Sequence, residues 1–364
     1  MRVAIVTESF LPQVNGVTRS VQRVCEHLAR RGHEAVVVAP GRGPRTCGPY
    51  RVVRIPSVPL PGHAAQRVAY PTPVLAQALG SFRPDVVHLA APTVLGAQAA
   101  TLARRAGVPA VAIYQTDLPG FVEQYGLGGV STTLWRWLRR VHGMAARTLA
   151  PSRQACAQLR SHGVPDVSRW PRGVDLERFS PLHRDDDLRR RLAPRGEVLV
   201  GYVGRLAREK ELHLLTAVDA LPGVRLVVVG DGPQRPQLQR LLPRAEFLGM
   251  LHGQELSAAY ASLDLFVHTG RHETFCQSAQ EALASSVPVV APAAGGLLDL
   301  VVPGVNGSMF APGAAADLQA EVARLAQDAQ ARQELAFAAR PSVQHRDWFS
   351  IGEQLVATYD ELVG

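Results

Sequence analysis

Two glutamates stand eight residues apart in the segment RHETFCQSAQEAL, residues 271–283. If a helix begins near Thr274, Glu273 lies at its start and Glu281 lies two turns along it. Eight residues at about 100° each return to within roughly 80° of the starting direction. The two carboxylates could therefore clamp a ligand. The alternative is one helix-capping group and one solvated side chain, and the spacing alone leaves both interpretations open.

A second candidate site is basic. The segment VLVGYVGRLAREKEL, residues 198–212, predicts a strand that ends at Gly204, followed by Arg205 and, five residues later, Lys210. A guanidinium and an ammonium beside a bare strand end can neutralise a diphosphate. A solvated turn is the alternative, but Lys210 is the only lysine among 39 basic residues. That exception favours a phosphate site, although neither the Walker nor the dinucleotide glycine pattern occurs here.

The first strand-to-helix turn, residues 7–20, is long and carries Asn15 followed by Gly16. It lacks the G-x-G-x-x-G pattern, which argues against a nicotinamide-dependent enzyme. Gly16 could let backbone N–H groups at a helix start face an anion. A plain turn glycine is an equally good interpretation of this position.

Composition narrows the class of protein. Hydrophobic residues make up 46% and charged residues 19% of the 364-residue chain, which is typical of a globular protein with two domains. No apolar run reaches about 18 residues and a strand pattern begins at Arg2, so we expect neither a transmembrane span nor a signal peptide. The cysteines are scattered, with no pair at metal-ligand spacing, which favours a reducing cytoplasm.

Charge is distributed unevenly over the two halves. Residues 1–178 carry 22 arginines against 9 acidic residues, whereas residues 179–364 carry 17 basic and 22 acidic residues. A basic half indicates an anionic partner, and without a nucleic-acid motif we favour an anionic membrane surface or an acidic acceptor. The predicted helix 132–148 either packs on its sheet or faces a membrane with its arginines. Its predicted apolar arc consists of Leu134, Trp137, Leu138, Val141, Met144 and Ala145.

Strand and helix patterns alternate along both halves of the chain. This alternation predicts an α/β protein of two doubly wound, Rossmann-like domains with parallel sheets. Ligands of such sheets bind beyond the carboxyl ends of the strands, which places the site in a cleft between two facing domains. Strand patterns lie at 3–7, 34–40, 50–56, 85–90, 109–116, 197–204, 224–230, 245–250, 263–270 and 287–292, and helix patterns at 19–31, 97–105, 212–220 and 277–284.

The predicted domain boundaries follow from these patterns. Residues 1–178 form the first domain and residues 179–345 the second, with a hinge in the polar segment 172–181. A last helix over 348–362, within residues 346–364, could pack back on the first domain. The charge run RDDDLRRR, residues 184–191, contains Asp-x-Asp, but its place beside the hinge predicts a solvated face and no metal site.

Taken together, these residues resemble the retaining family 4 glycosyltransferases of GT-B fold. The resemblance covers nearly the whole chain, and the order and spacing of the motifs make it specific. Within that family the sequence is most similar to actinobacterial GDP-mannose-dependent α-mannosyltransferases that act on phosphatidylinositol or glycolipid acceptors. The motifs are Asn15-Gly16, Gly204-Arg205 with Lys210, GDGP at 230–233, FLG at 247–249, Glu273-x7-Glu281, PVVA and Gly295-Gly296.

The resemblance implies a role for each candidate residue. Glu273 would bind hydroxyls of the donor sugar, and Glu281 would hydrogen-bond the nucleotide ribose. Arg205 and Lys210 would hold the diphosphate leaving group. The implied reaction is a retaining transfer, without metal or cofactor, from a nucleotide-diphosphate sugar to a glycolipid or small acceptor. The remaining implied donor-site residues are Gly16, Gly204 and the backbone amides of Thr274, Phe275 and Cys276.

On the acceptor side, the candidates are Asn15, Gln115 and Asp117. Many relatives carry histidine where Gln115 stands, so no acid or base role is carried over to it. Ser286 replaces a usual glycine and Leu297 a usual proline, and such departures bear more on acceptor and sugar than on the reaction. The alternatives are a UDP-sugar-dependent enzyme with a soluble acceptor, a nucleotide-sugar epimerase, and a non-catalytic nucleotide-sugar-binding subunit.

Overall fold

The structure is a computed structural model that describes residues 1–13, 15–60, 63–70, 72–120 and 128–364. The chain divides into two compact units. Unit 1 consists of Met1–Pro171 together with Trp348–Gly364, and unit 2 consists of Arg172–Asp347. Each unit is built on a mainly parallel β-sheet with helices packed on it.

Unit 1, as far as it is described, contains an eight-stranded sheet and a separate two-stranded hairpin. The sheet order is β10-β9-β8-β7-β1-β2-β4-β3, and only the edge strand β3 is antiparallel to its neighbour. Its strands are β1 (Arg2–Val6), β2 (Glu34–Pro40), β3 (Thr46–Cys47), β4 (Tyr50–Ile55), β7 (Val86–Leu89), β8 (Ala110–Ile113), β9 (Arg147–Ala150) and β10 (Val167–Arg169), and the hairpin pairs β5 (Ser57–Leu60) with β6 (His63–Ala69). The helices are α1 (Gly16–Arg30), α2 (Pro73–Phe82), α3 (Val94–Arg105), α4 (Gly128–His142), α5 (Arg153–Ser161) and α13 (Trp348–Val363).

Unit 2 contains a six-stranded parallel sheet in the order β13-β12-β11-β14-β15-β16. Its strands are β11 (Val198–Val203), β12 (Val224–Val229), β13 (Glu246–Gly249), β14 (Leu265–Val267), β15 (Val289–Pro292) and β16 (Gly307–Phe310). The helices are α6 (Asp186–Leu192), α7 (Thr216–Asp219), α8 (Arg235–Leu241), α9 (Gly253–Ala261), α10 (Gln277–Ala284), α11 (Ala315–Gln327) and α12 (Ala329–Ala339). Short 3₁₀ turns lie at Arg208–Lys210, Leu212–Leu215 and Gly295–Asp299, so the predicted helix 212–220 is α-helical only in α7.

The central strands of the two sheets are mostly apolar because helices cover both faces of each sheet. β7 and β8 are buried at every residue, and in β1 and β11 only the first residue is partly exposed. The predicted Rossmann-like alternation of both halves is therefore confirmed. No helix among the described residues is both long enough and apolar enough to cross a lipid bilayer.

The units divide at positions that differ from the sequence-based boundaries at 178 and 345. The structure divides the chain after Pro171 and after Asp347, because the segment from Arg172 onward packs with unit 2. Gln280 Nε2 on α10 donates to the Arg172 carbonyl at 3.0 Å, and Val174 N donates to the Arg346 carbonyl at 2.9 Å. The polar segment that we took for a hinge is thus anchored along its first residues.

The last helix, α13, belongs to unit 1, where it packs beside α1. Its stripe of Ile351, Leu355 and Tyr359 is buried, and Tyr359 Oη lies 2.6 Å from His88 Nδ1 on β7. Trp170 Nε1 donates to the Ile351 carbonyl at 2.9 Å. These buried polar contacts give the helix one register on the sheet, because an unpaired buried donor would cost free energy in any other.

Helix α4 corrects one prediction of the sequence. Trp137 was predicted to face the core, but 41% of its surface is exposed, and Trp135 is buried instead. The reason is aromatic packing, since the Trp135 ring stacks on His162 at 3.7 Å and lies near Tyr114. The helix also ends at His142 rather than at 148, so Trp137 shares the exposed face with the arginines.

Ser286, the residue that departs from the family glycine, lies just beyond the end of α10 with φ of 59°. In this left-handed region a side chain crowds the backbone, and glycine is the preferred residue after a helix end. The sequence departure is therefore a source of backbone strain.

We predict that Ser286→Gly stabilises the protein. Release of the strain, less the extra chain entropy of glycine, should add about 0.5–1 kcal/mol to the free energy of unfolding. This corresponds to a rise of roughly 1–4 °C in Tm for a unit of this size. The control is Ser285→Gly, where φ is −84° and no strain exists to release. A Tm unchanged or lowered in Ser286→Gly would show that the left-handed conformation is not strained.

Candidate active site

The candidate residues of unit 2 gather where two neighbouring strands end. β11 and β14 pair in parallel, so the loops that follow them leave the same edge of the sheet. The loop after β11 carries Arg205 and Lys210, and the loop after β14 carries Glu273. This is the edge at which doubly wound sheets bind ligands.

Lys210 lies in the 3₁₀ turn after β11 and forms an ion pair with Glu273. Its Nζ lies 2.5 Å from Glu273 Oε1, and the two side chains are 22% and 15% exposed. Burial by itself lowers the pKa of Lys210, but the Glu273 carboxylate outweighs it and raises that pKa. The ammonium is therefore charged, and it joins the loops after β11 and β14.

The backbone around Lys210 is held from both loops. Thr269 Oγ1 donates to the Lys210 carbonyl at 2.6 Å. Glu211 adopts a left-handed conformation with φ of 50°, and its carboxylate accepts from Arg271 Nε at 2.9 and 3.1 Å. The lysine thus extends from a rigid turn, which is what preorganised charge stabilisation requires.

Arg205 is placed differently, with 57% of its side chain exposed beside the Glu209 carboxylate, to which it donates. Its backbone is held at the carbonyl by the Tyr202 hydroxyl at 3.1 Å. The exposed guanidinium on this fixed backbone can approach a phosphate from the solvent side, while its partner Glu209 is only 10% exposed.

Glu273 has two cationic neighbours. Besides Lys210, His268 Nε2 lies 3.0 Å from Glu273 Oε1, and the histidine is 2% exposed. Burial would raise the pKa of Glu273, but Lys210 and His268 hold it well below the usual value. Burial would lower the pKa of His268, but Cys276 and Glu273 raise it to about 9. Near neutral pH the cluster therefore holds a carboxylate between an ammonium and an imidazolium.

Glu281 lies two turns along α10 and is 8% exposed. Its Oε2 accepts a hydrogen bond from the Tyr260 hydroxyl of α9 at 3.0 Å. The N-cap of α10 is Cys276, whose side chain makes no capping hydrogen bond. Neither glutamate is therefore the capping group or the solvated side chain of the alternative interpretation, because Glu273 pairs with cations before the helix begins.

A close approach of backbones shapes the loop before α10. Gly296 N donates to the Glu273 carbonyl at 2.7 Å, and a Cβ on Gly296 would lie 2.4 Å from Phe275 Cα. Only glycine allows this approach. The 3₁₀ turn at Gly295–Asp299 thereby supports the predicted amide-bearing residues Thr274 and Phe275 from behind.

Three side chains of the site carry the donor set of a soft metal ion. His268, Glu273 and Cys276 offer ligand atoms that all lie within 4.8 Å of one another. The Lys210 ammonium, however, occupies the cationic position beside Glu273 Oε1. A metal ion bound to that oxygen would be repelled by the ammonium, so the residues fit a charge cluster better than a metal centre.

Two predicted site residues, Asn15 and Gly16, lie in unit 1 at the start of α1. Asn15 is the N-cap: its Oδ1 accepts from Thr18 N at 3.0 Å, and its Nδ2 donates to Ser9 Oγ at 2.7 Å. Gly16 is the first residue of the helix. Asn15 thus has a structural role in the helix start, alongside the acceptor-side role predicted for it.

Gln115 and Asp117 lie in unit 1 after β8. Gln115 Nε2 donates to the Ala90 carbonyl at 2.6 Å. Asp117 Oδ1 accepts from the Tyr114 hydroxyl at 3.0 Å and from Gly120 N at 3.1 Å. Both side chains therefore brace the loop after β8 of unit 1.

Sequence reasoning missed His268, Tyr202 and Tyr260. A signal existed for His268, because the polar triplet His-Thr-Gly directly follows the apolar strand β14 at the edge where ligands bind. No comparable signal marks the tyrosines, which lie within apolar stretches. The GDGP segment packs closely against the loop after β11, since a Cβ on Gly230 would lie 2.0 Å from the Gly204 carbonyl oxygen.

Comparison with known proteins gives two family matches along the chain. The profile of Glycosyltransferase Family 4 matches residues 14–178, and the profile of Glycosyl transferases group 1 matches residues 183–341. Together they span both units.

Relatives of known name cover the full chain. A GDP-mannose-dependent alpha-mannosyltransferase of Mycobacterium tuberculosis is 48% identical over 371 residues, covering 100% of this chain and 97% of the relative. One of the same name from Corynebacterium glutamicum is 44% identical, covering 100% and 89%. Among solved structures, Anabaena HepE in complex with UDP has a TM-score of 0.82 at 22% identity, with 100% of both chains covered.

The structural likeness to HepE shows the fold, GT-B with two Rossmann-like domains, and the sequence relatives favour an enzyme over a non-catalytic binding subunit. With family profiles matching both units and relatives 44–48% identical over the full chain, this protein belongs to glycosyltransferase family 4 and is a glycosyltransferase.

Proposed function

We propose that the enzyme transfers mannose from GDP-mannose to a lipid-linked acceptor, with retention of configuration and without a metal ion. The donor is proposed from the relatives of Mycobacterium tuberculosis and Corynebacterium glutamicum, whose names specify GDP-mannose. The observation that carries the chemistry is the Lys210–Glu273 ion pair, 2.5 Å long, at adjoining strand ends. It brings a leaving-group cation and a sugar-binding carboxylate into contact.

Charge stabilisation is the main task of Lys210 and Arg205. As the bond from sugar to diphosphate breaks, negative charge grows on the departing phosphate and the sugar becomes cationic. An ammonium and a guanidinium fixed beside that phosphate stabilise the developing charge without reorganising at the moment of reaction. They supply the positive charge that a metal ion supplies in other transferases.

Glu273 orients the donor sugar. A carboxylate ionised by its two cationic neighbours is a strong hydrogen-bond acceptor for sugar hydroxyls. With the sugar so held, the acceptor hydroxyl attacks from the face that the diphosphate leaves and gives its proton to the departing phosphate oxygen, which preserves the configuration. Glu281, held by Tyr260, binds the ribose of the nucleotide, a group that does not change during the reaction.

The exposed face of α4 supports a lipid-linked acceptor at an anionic membrane. Arg136, Arg139 and Arg140 are exposed there together with Trp137 and Val130, which are 41% and 50% exposed. Basic residues with an indole on one helical face are typical of helices that lie in the membrane interface. The net charge of +13 over residues 1–178 acts in the same direction.

The proposal is tested by donor choice. GDP should raise the Tm more than UDP, because ligand at about 100 times its Kd adds about 2.7 kcal/mol of stability. GDP-mannose should be turned over with a glycolipid acceptor, and NMR of the product should show the α-anomer. Stabilisation by UDP and not by GDP would replace the proposal by its runner-up, a UDP-sugar-dependent enzyme. Glu281→Gln should lose about tenfold in GDP affinity, whereas Glu255→Gln, an exposed carboxylate of α9, should lose none.

A further prediction concerns the role of Lys210 in catalysis. Lys210→Ala should lose about 10²–10³-fold in kcat, roughly 3–4 kcal/mol of transition-state stabilisation. Lys210→Arg should also lose much activity, because a planar guanidinium is wider than an ammonium and demands forked partners. Both variants should stay folded, since His268 still faces Glu273. Arg208→Ala, which removes an exposed cation from the same turn, is the control, and near-native activity of Lys210→Ala would contradict the role.

Another prediction is that the protein binds to anionic membranes. Sedimentation with anionic vesicles should show binding that weakens as salt is added, because surface charges are screened. Trp137→Ala should reduce that binding several-fold. Phe337→Ala removes an aromatic side chain that is 85% exposed in unit 2 and should have no effect. Equal binding to neutral vesicles, or an unchanged Trp137→Ala variant, would favour a soluble acceptor.

A further inference from the structure

His268 is a buried, charged residue that the proposed mechanism does not yet use. It directly follows β14, where its backbone N donates to the Val290 carbonyl of β15 at 2.9 Å. The imidazole is 2% exposed and lies parallel to the Tyr202 ring, with centroids 6.1 Å apart and planes inclined by 21°. A ring fixed by the sheet and by a buried tyrosine cannot follow a ligand as the flexible side chain of a lysine can.

The unusual feature is that two cations share one oxygen. Lys210 Nζ lies 2.5 Å and His268 Nε2 lies 3.0 Å from the same atom, Glu273 Oε1. One cation suffices to neutralise one carboxylate, and burying a second costs desolvation free energy. A second cation is useful despite this cost if the first must also bind another anion. For Lys210, the proposed other anion is the diphosphate of the donor.

We propose that His268 is a positioning residue that keeps the Glu273 carboxylate in place while Lys210 turns to the diphosphate of the donor. This inference rests on the proposed roles of Lys210 and Glu273 in donor binding. Without His268, departure of the ammonium would leave a 15%-exposed carboxylate without a counter-charge, free to rotate or to take up a proton. In either state it would hold the sugar hydroxyls less well.

Histidine suits this task better than a longer cation. Lysine and arginine have several rotatable bonds, and at this position either side chain would reach the diphosphate as well as the carboxylate. The shorter imidazole stays beside Glu273 and Cys276, and the ligand atoms of these three side chains lie within 4.8 Å of one another. It therefore acts on the carboxylate and not on the leaving group.

The electrostatics of the cluster agree with this geometry. The charged or titratable groups that face His268 are Glu273 and Cys276 from the loop before α10, Lys210 from the turn after β11, and Tyr202 from β11 itself. Its folded pKa of about 9 exceeds the ordinary 6.5, so the stability that its charge contributes is present below pH 6.5 and is lost as the pH rises through 9.

A double-mutant cycle tests whether His268 acts through Glu273. His268→Ala should lower kcat with GDP-mannose by about 10–100-fold and weaken GDP binding much less, because Glu273 is proposed to hold the sugar, which GDP lacks. His268→Gln, which keeps a hydrogen-bond donor without the charge, should recover part of the loss. In a Glu273→Gln background, His268→Ala should cost little further, since the group it positions is already changed.

Controls separate this role from a merely structural one. His213→Ala removes an exposed histidine of unit 2 and should leave kcat and Tm unchanged. The alkaline fall of kcat near pH 9 should disappear in His268→Gln, and it should move to lower pH in Cys276→Ser, because Cys276 helps to raise the pKa of His268. The inference would be overturned if the losses in kcat of the two single variants multiplied in the double variant. It would also be overturned if His268→Ala lost as much in GDP affinity as in kcat.

Failure of the positioning role of His268 can be distinguished from failure of the proposed function. If the wild-type enzyme did not use GDP-mannose, the donor proposal would fail, and the same cycle would be measured with the UDP-sugar that it does use. If the wild-type enzyme used GDP-mannose and the cycle were multiplicative, the donor proposal would stand and the positioning role of His268 would fall.

Discussion

The candidate active site depends on one interaction, the ion pair of Lys210 and Glu273 at the ends of β11 and β14. A partly buried carboxylate is tolerated only when its charge is matched, because transfer from water costs several kcal/mol per ion. The pair therefore fixes the relative position of the two loops. The supporting features, Thr269 on the Lys210 carbonyl and Arg271 on Glu211, each bind one loop to the other.

The same cluster shows why glycine and left-handed residues gather around it. Gly296 lets one turn run against the loop of Glu273, and Glu211 and Cys276 adopt positive φ values of 50° and 79°. Such conformations cost about 1–3 kcal/mol each and persist where the surroundings over-determine them. Here the surroundings are two buried strands and a network of ion pairs, so strain in the loops serves to aim the side chains.

In unit 1, apolar packing and surface charge are the main features. Its core is an apolar sheet on which the C-terminal helix α13 packs. Its sequence carries more arginines than acidic residues. The packing of Trp135 against His162 decides which tryptophan remains outside. As a result Trp137 lies exposed on the basic face of α4, the face that the proposed membrane contact would use.

Sequence alone determined the alternating elements, the two Rossmann-like units and the edge at which Arg205, Lys210 and Glu273 meet, because apolar strand runs and strand-end polar residues are local signals. Helix α10 was predicted at its observed bounds, Gln277–Ala284. Only the tertiary structure decided that His268 joins Glu273, that Tyr260 holds Glu281, and that Trp135 rather than Trp137 is buried. These outcomes depend on contacts between residues from separate elements, and on ring packing that helical periodicity does not encode, so no local pattern contained them.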